Sequence, residues 1–578
     1  MEKIQITINH IPVEVEKGTR VIEAARLAHI DIPHLCYCPD QAVKAHCRMC
    51  VVEVTGYRKL LAACSTVVWE GMEVFTNTQK VQQVQTGILE MILANHNQNC
   101  LYCSRNRNCV LQTLRSRLNT HRLRLPKIVE KTPVQDTGSG LLRDFSKCIR
   151  CGRCVGACAE QQGVRALTYA GRSSGYTITT AYHLPFDQTD CILCDQCSKA
   201  CPVASILIKD DTQKVLDAIQ DPAKHVVVQV APAVRSVLGE EFGIPEESAV
   251  LGKMVTALRM MGFGKVFDTG FSADMAVLET SAELLDRLHG GGPLPMITSC
   301  SSGWVNYMQK HHPDLLSHLS TAKSPQQIFG ALAKTYYSRQ AGIPPEDIVT
   351  VSIMPCAAKK FEAARPEMEH GGMRDVDIVL TARELLKLIR FEGLEFAELP
   401  ADHFDSPLGT DSVGAIWGTH GGVIEAVLHA AAETAGHPLP EEIQFAPAPG
   451  SEGVREAEIP LGSRSIRAAV APDLRTAEAL LQPVRDGVSR YDLIEVMACP
   501  GGCRGKLGQP SFTPGCANAL RQDARYSLDD APAMRSPWEN PEVKEIYAAF
   551  FEAPLSEPAR RLLHIRHLPK QKACSGNT

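Results

Sequence analysis

The chain has 578 residues, 44% hydrophobic and 22% charged, the composition of a soluble protein of several domains. Its 60 basic and 65 acidic residues give a formal charge of -5, which argues against a nucleic-acid binder. No stretch reaches the 18 or more uninterrupted apolar residues of a membrane span.

The opening segment, MEKIQITINHIPVEVEKG, alternates apolar and polar residues as a strand does. It is not the basic-then-apolar pattern of an export signal and lacks a twin-arginine motif, so a cytoplasmic location is expected. There thiols stay reduced, and 22 cysteines are expected to bind metal or do redox chemistry rather than form disulfides. Sixteen of them lie in the first 201 residues, the next 98 residues have none, and six fall between Cys300 and Cys574.

The first group is Cys36, Cys47, Cys50 and Cys64, with the C-x2-C pair on one tight loop and strand-like ITINHIPVEV and VVEVTG on either side. It resembles the plant-type ferredoxin fold around a [2Fe–2S] cluster, in the spacing of the large iron–sulfur subunit of respiratory complex I. A structural zinc site is the alternative. Cys38 is read as packing. Next come His96, Cys100, Cys103 and Cys109, which could bind zinc or one cubane. Their order after a complex-I-like domain favours a His-ligated [4Fe–4S] cluster. Two C-x2-C-x2-C-x3-C runs follow: Cys148, Cys151, Cys154 and Cys158, then Cys191, Cys194, Cys197 and Cys201, the last followed by Pro202. They resemble the bacterial two-cluster ferredoxin, in which the fourth cysteine of each run serves the other run's cluster. Cys201 is therefore expected with Cys148, Cys151 and Cys154, and Cys158 with Cys191, Cys194 and Cys197. Closed centres of this kind carry electrons and do not themselves transform a substrate.

From about residue 212 the pattern changes. HVVVQV, IVTVSIMPC, DVDIVL, IRAAVAP and DLIEVMAC read as buried strands, with helical VTALRMMGF, AELLDRLHG and ARELLKLIR between them. Alternating strands and helices predict α/β layers with parallel sheets. Cys356 and Cys499 directly follow two of these strands and are expected at the same edge of the layers, where such sheets gather ligands. No dinucleotide or nucleoside-triphosphate motif is present.

MPCAAKKFE (354–362), EVMACPGGCRGKLGQP (495–510) and ITSCSSGWV (297–305) resemble the three signature segments of the iron-only ([FeFe]) hydrogenases. The N-terminal cluster order is also that of the large clostridial-type enzymes, so the resemblance covers nearly the whole chain. It implies an H-cluster, a [4Fe–4S] cube bridged by one cysteine to a diiron subsite carrying CO, cyanide and a bridging dithiolate. Carried over, Cys356, Cys499 and Cys503 are cube ligands, with Cys503 bridging. Lys359 and Met354 would line the diiron pocket, Lys359 pairing a cyanide, and Ala231, Pro232, Gln326, Trp417 and Gly418 would complete it. Trp417 stands where the family mostly has phenylalanine.

The first segment departs from the family's T-S-C-C-P-x-W. Without a gap, Cys300 takes the proton-relay position, Ser301 the fourth cube-ligand position and Ser302 that of the proline. Three readings stay open: Cys300 shifts and ligates the cube, Ser301 ligates through oxygen, or the cluster is incomplete. Along the family's outward proton path Ser320 and Glu283 match, but the inner glutamate is Thr280, with Glu279 its neighbour. Cys516 and Cys574 match no motif. The region from about 537 is expected to be helical, like the family's wrapping tail.

The resulting expectation is a multidomain α+β protein. A plant-type ferredoxin (β-grasp) domain spans 1–80, a His-ligated cluster domain 81–126 and a two-cluster bacterial ferredoxin domain 127–211. An α/β hydrogenase domain with parallel sheets spans 212–578. The cofactors would be one [2Fe–2S], three [4Fe–4S] and the H-cluster. The activity would be 2H⁺ + 2e⁻ to and from H₂, with ferredoxin or flavin- and NADH-binding subunits as partners. The alternative is a hydrogenase-like electron-transfer subunit, for example wired to formate dehydrogenase, without H₂ turnover. An H₂ sensor would call for a signalling domain, and the sequence suggests none.

Overall fold

The computed structural model describes residues 2–570 apart from 121–122, 130–133, 137–139, 245–246, 410–420, 438, 441–442, 450, 463, 500–501 and 504–535. The alternating N-terminal segment folds as the antiparallel pair Lys3–Ile8 and Ile11–Glu16. Lys3–Ile8 also pairs in parallel with Glu73–Phe75, which runs antiparallel to Val51–Val54. Period-two alternation turns Ile4, Ile6 and Ile8 inward against Val21, Ile22, Ala24 and Ala25 of the helix Val21–Leu27. The helix Gln79–Ala94, capped by the Thr78 hydroxyl accepting from the Val81 N–H, leads into the His96 segment.

Each four-cysteine run contains one short helix, Arg153–Gly156 in the first and Gln196–Ala200 in the second. The flanking strands Leu141–Arg143 and Ile206–Ile208 pair antiparallel and bring the ends of this region together.

The C-terminal region holds two larger sheets. The first is wholly parallel, in the order Lys265–Asp268, His225–Val230, Ile348–Met354, Ile378–Thr381. Its central strand is buried on both faces. Val226, Val228 and Val230 enter one core with the helices Ala233–Phe242 and Ala382–Phe391, while Val227 enters the other with Thr269–Asp286 and Pro325–Leu332. Continuous β-branched runs are what such doubly covered strands need.

The second sheet differs from the expected parallel layout. Met296–Ile297, Leu493–Val496 and Arg464–Ala471 are parallel, but Arg455–Leu461 and Ala446–Pro447 add antiparallel pairs. Only two residues separate Arg455–Leu461 from Arg464–Ala471, and so short a connection allows a hairpin but no crossover. Gly462 stands in that turn at φ +61°.

The C-terminal helices Pro541–Ile546 and Glu557–Leu563 pack Val543, Ile546, Leu562 and Leu563 into the core beneath Thr269–Asp286 and Pro325–Leu332. Phe329 is fully buried there, its ring 5.5 Å from that of Phe267. Phe329→Ala is expected to destabilise this region by about 3–5 kcal/mol. Chemical unfolding followed by tyrosine and tryptophan fluorescence would show the lowered midpoint.

Candidate functional site

The four cysteines of the first group meet under the N-terminal sheet. Cys36 lies within sulfur hydrogen-bond reach of Cys47 and Cys64, and Cys50 of Cys64. Cys38 is half-buried. His96, Cys100, Cys103 and Cys109 line a cavity of about 270 Å³. His96 Nδ1 is 3.1 Å from the carbonyl of Lys147. A carbonyl only accepts, so Nδ1 carries the proton and Nε2 keeps the lone pair that a metal requires. Burial lowers the pKa of His96 to about 4, which keeps the ring neutral.

In the two-run region, Cys158 lines one cavity with Cys191, Cys194 and Cys197. Cys201 lines another with Cys148, Cys151 and Cys154. The fourth cysteine of each run thus sits with the other run's first three.

An apolar cavity opens at the carboxyl ends of the parallel strands of both large sheets, where loops converge in an open α/β sheet. Ala231 and Pro232 follow the strand His225–Val230, and Cys356 follows Ile348–Met354. Cys300 follows Met296–Ile297, and Cys499 follows Leu493–Val496. With Ser301, Gln326, Met354, Lys359 and Cys503 they line a space of about 140 Å³. Cys194 lines this cavity as well as its own.

Burial pushes the thiols of Cys300 and Cys356 up to about 12 and that of Cys499 up to about 11. Without a metal they are neutral at physiological pH; a soft cation would displace their protons. Lys359 behaves in the opposite way. Burial works against its charge, but the nearby Glu362 carboxylate outweighs it and holds the ammonium protonated. Its Nζ donates to Glu362 Oε2 at 2.9 Å and to the Cys300 carbonyl at 3.2 Å. Glu362 also accepts from Ser324 Oγ at 2.8 Å and Gln326 Nε2 at 3.3 Å, which fixes the lysine from below. Glu362 left no mark in the sequence beyond standing three residues after Lys359.

Cys300 and Ser301 both line the cavity but have different neighbours. The Cys300 thiol feels the charges of Glu495, Lys359 and Cys503. Ser301 Oγ accepts from the Ala498 N–H at 3.3 Å, beside Cys499. Gln196 Nε2 reaches Cys499 Sγ at 3.3 Å, a contact across 303 positions that no local pattern encodes.

Beyond the cavity, Glu283 is buried between three donors. Ser320 Oγ donates to it at 2.8 Å, Arg287 Nη2 at 2.6 Å and the Thr321 N–H at 2.9 Å. Glu279 is turned to the C-terminal segment. It accepts from Tyr547 Oη at 2.7 Å and the Leu555 N–H at 2.9 Å, and lies 2.9 Å from His564 Nε2. Thr280 is buried. Trp417, Gly418, Cys516 and Cys574 lie outside the described residues.

Comparison with known families matches 224–505 to the iron only hydrogenase large subunit, C-terminal domain, and 517–570 to the iron hydrogenase small subunit. Residues 1–79 match the 2Fe-2S iron-sulfur cluster binding domain, 85–124 the NADH-ubiquinone oxidoreductase-G iron-sulfur binding region and 147–205 the 4Fe-4S dicluster domain. The NADP-reducing hydrogenase subunit HndD of Solidesulfovibrio fructosivorans is 40% identical, over 99% of this chain and 100% of that protein. Iron hydrogenase 1 of Clostridium pasteurianum is 37% identical, over 97% and 99%. A solved apo [FeFe]-hydrogenase HydA1 variant from Chlamydomonas reinhardtii is 35% identical with a TM-score of 0.56, covering 62% of this chain and 99% of that one.

The tail contact is directly testable. Glu279→Gln removes the charge that Tyr547, Leu555 and His564 share. At about 2 kcal/mol for a broken buried network, amide exchange in 541–565 should rise roughly thirty-fold. Hydrogen–deuterium exchange resolved by segment measures this, and exchange in the first sheet should stay unchanged.

Proposed function

Because the chain belongs to the iron-only hydrogenase family, we propose that it is the enzyme that interconverts protons, electrons and H₂, with an H-cluster in the cavity shared by the two large sheets. The observation that carries this reading is the meeting of Cys356, Cys499 and Cys503 with the charged Lys359 in one apolar cavity. The wall of that cavity is shared, at Cys194, with a ferredoxin site.

The residues fit the group. Thiolates are the donors that iron–sulfur clusters take. The buried ammonium of Lys359 suits an anionic ligand. Gln326 Oε1, in a residue lining the cavity, is buried with no hydrogen-bond partner among the described residues. Cys356, Cys499 and Cys503 would hold the cube, Cys503 bridging to the diiron part. When bound, the group supplies the metal site for heterolytic H₂ cleavage and the amine base of that step.

The rest falls to the protein. Met354, Ala231 and Pro232 keep the cavity dry, and Gln326 and Glu362 hold Lys359 in place. Of the three readings of the first segment, the placement supports the ungapped one. Cys300 lies near Cys503 and Lys359, where its thiol would hold a proton at the inner end of the relay. Ser301 lies beside Ala498 and Cys499, where oxygen would take the fourth cube position. Ser320 and Glu283 then carry protons outward, with a water at Thr280 replacing the inner carboxylate.

Electrons would pass along one [2Fe–2S] and three [4Fe–4S] clusters, held by the cysteines and His96 as grouped above. Cys194 would be the last protein sulfur before the cavity. The partners would be flavin- and NAD(P)-binding subunits, since HndD is by name a subunit of an NADP-reducing hydrogenase. Among the described residues no helix is long and apolar enough to cross a membrane. A cytoplasmic location is part of this reading.

Ser301 and Thr280 favour a second reading, an electron-transfer subunit with the same fold and no H₂ turnover, for instance in a formate dehydrogenase complex. Infrared spectroscopy of anaerobic protein coexpressed with maturation factors separates the two. Iron-bound CO and cyanide bands that shift under H₂ are expected. Their absence, with the N-terminal clusters loaded by iron count, would establish the second reading. Ser301→Cys restores a thiolate at the fourth position and is expected to raise the H₂ oxidation rate at least tenfold; an unchanged rate would show that Ser301 does not limit the cube.

A further inference from the structure

The two cysteine runs are near copies, and their differences are informative. In C-G-R-C-V-G-A-C the second and sixth positions are Gly152 and Gly156; in C-D-Q-C-S-K-A-C they are Asp195 and Lys199. Gly152 sits at φ +77° and a Cβ there would meet Tyr169 Oη at 2.2 Å. At Gly156 a Cβ would meet Gln41 Oε1 at 2.4 Å, so that face is flattened against the N-terminal domain. Asp195 holds the same left-handed conformation, φ +61°, without being glycine.

What it gains is visible. Asp195 Oδ2 accepts from the Ala357 N–H, the residue after Cys356, at 3.1 Å. Its other oxygen lies 2.9 Å from Lys199 Nζ; the Asp195 side chain is fully buried and that of Lys199 is 11% exposed. Burial works against the Lys199 charge, yet Asp195 and the sulfurs of Cys499 and Cys356 outweigh it and keep the ammonium protonated. Its charge also acts on Cys503. Lys199, two residues from Cys197, is thus held through Asp195 against the loop that carries Cys356, at the junction of the ferredoxin site and the hydrogenase cavity. None of these contacts is needed to ligate iron.

We propose that Asp195 and Lys199 form a potential-setting pair at the junction of the last ferredoxin cluster and the catalytic cube: Lys199 raises the cube's reduction potential, and Asp195 moderates it while anchoring the Cys356 loop. This rests on the reading of the cavity as an H-cluster site. In a poorly screened interior, a fixed positive charge favours the reduced, more negative cluster. Lys199 therefore makes the cube a better acceptor from the ferredoxin side, and Asp195 limits how far.

The test is a redox titration of the full chain carrying its iron–sulfur clusters, monitored by electron paramagnetic resonance. Wild type is compared with Lys199→Gln, Lys199→Arg and Asp195→Asn. Lys199→Gln should lower the cube's potential by at least a tenfold change in its reduction equilibrium, about 59 mV for one electron. Asp195→Asn, which can still accept from Ala357, should raise it. Lys199→Arg should stay near wild type and shows that the site tolerates substitution. Opposite signs for the two neutralising variants are the decisive outcome, because packing damage has no reason to follow charge. A cube signal present in all variants at one potential, or shifted the same way in both, would overturn the pair's role and leave the H-cluster reading standing. No cube signal in wild type, with the N-terminal clusters at full iron content, would overturn both.

Discussion

A buried sulfur that belongs to two cavities sets a constraint on everything around it. Cys194 can line the ferredoxin site and the cavity of the two large sheets together only if the two domains are held in fixed register. Several unrelated contacts do this. Ile192 packs with Trp304 in the core of the second sheet, and Lys310 Nζ donates to the carbonyls of Thr189 and Cys191 at 2.6 and 2.7 Å. On the far side, Lys360 bridges Asp211 and Glu384 at 2.5 and 2.8 Å and ties the end of the ferredoxin region to the first sheet. Both lysine contacts bury charge or backbone that would be costly to leave unpaired.

The C-terminal segment does comparable work on the opposite side. Residues 563–567 lie along 320–323: the Lys323 N–H donates to the Leu563 carbonyl, the Ile565 N–H to the Thr321 carbonyl, and His567 Nε2 to the Ser320 carbonyl at 2.8 Å. The pair Ser320–Glu283 is thereby covered by a strap whose own anchor, Glu279, sits one helical turn away on the same face of Thr269–Asp286. Glu279 and Glu283 are neighbouring carboxylates with separate partners, while Thr280, about a hundred degrees further round the helix, belongs to neither.

Much of this was legible in the sequence because the chemistry is local. Cluster cysteines come in tight spacings, and strands covered on both faces read as β-branched runs such as HVVVQV. The helical tail was readable for the same reason. The antiparallel half of the second sheet was not, because Arg455–Leu461 opens on adjacent charges, Arg455 and Glu456, and carries Pro460, so it does not announce a strand until the two-residue turn is seen. Glu362, Gln196 and the tail contacts of Glu279 were invisible for a different reason. They act between segments distant in sequence, and a single carboxylate or amide leaves no period to detect. Asp195 and Lys199 were readable in principle, by setting the two cysteine runs side by side and asking why two glycines had become an acid and a base.

The glycine face and the charged face of the ferredoxin region also bear on how separable the parts of the chain are. The contact through Gly152 and Gly156 is made by close approach of Gln41 and Lys44, with Gln41 donating to the Arg153 carbonyl at 3.1 Å, the Arg153 guanidinium to the Tyr37 carbonyl at 2.7 Å and, in a solvent-exposed bond, the Ala42 N–H to the Glu160 carboxylate at 2.6 Å. If the N-terminal domain were parted from it, water could hydrate that surface at little penalty. The contact through Asp195 and Lys199 is different, because parting it would strip an aspartate of its amide donor and open a matched ion pair. Modularity in this chain is therefore one-sided: the outer electron-carrying units are built as an attachable extension, whereas the innermost one is, in its packing, part of the catalytic domain.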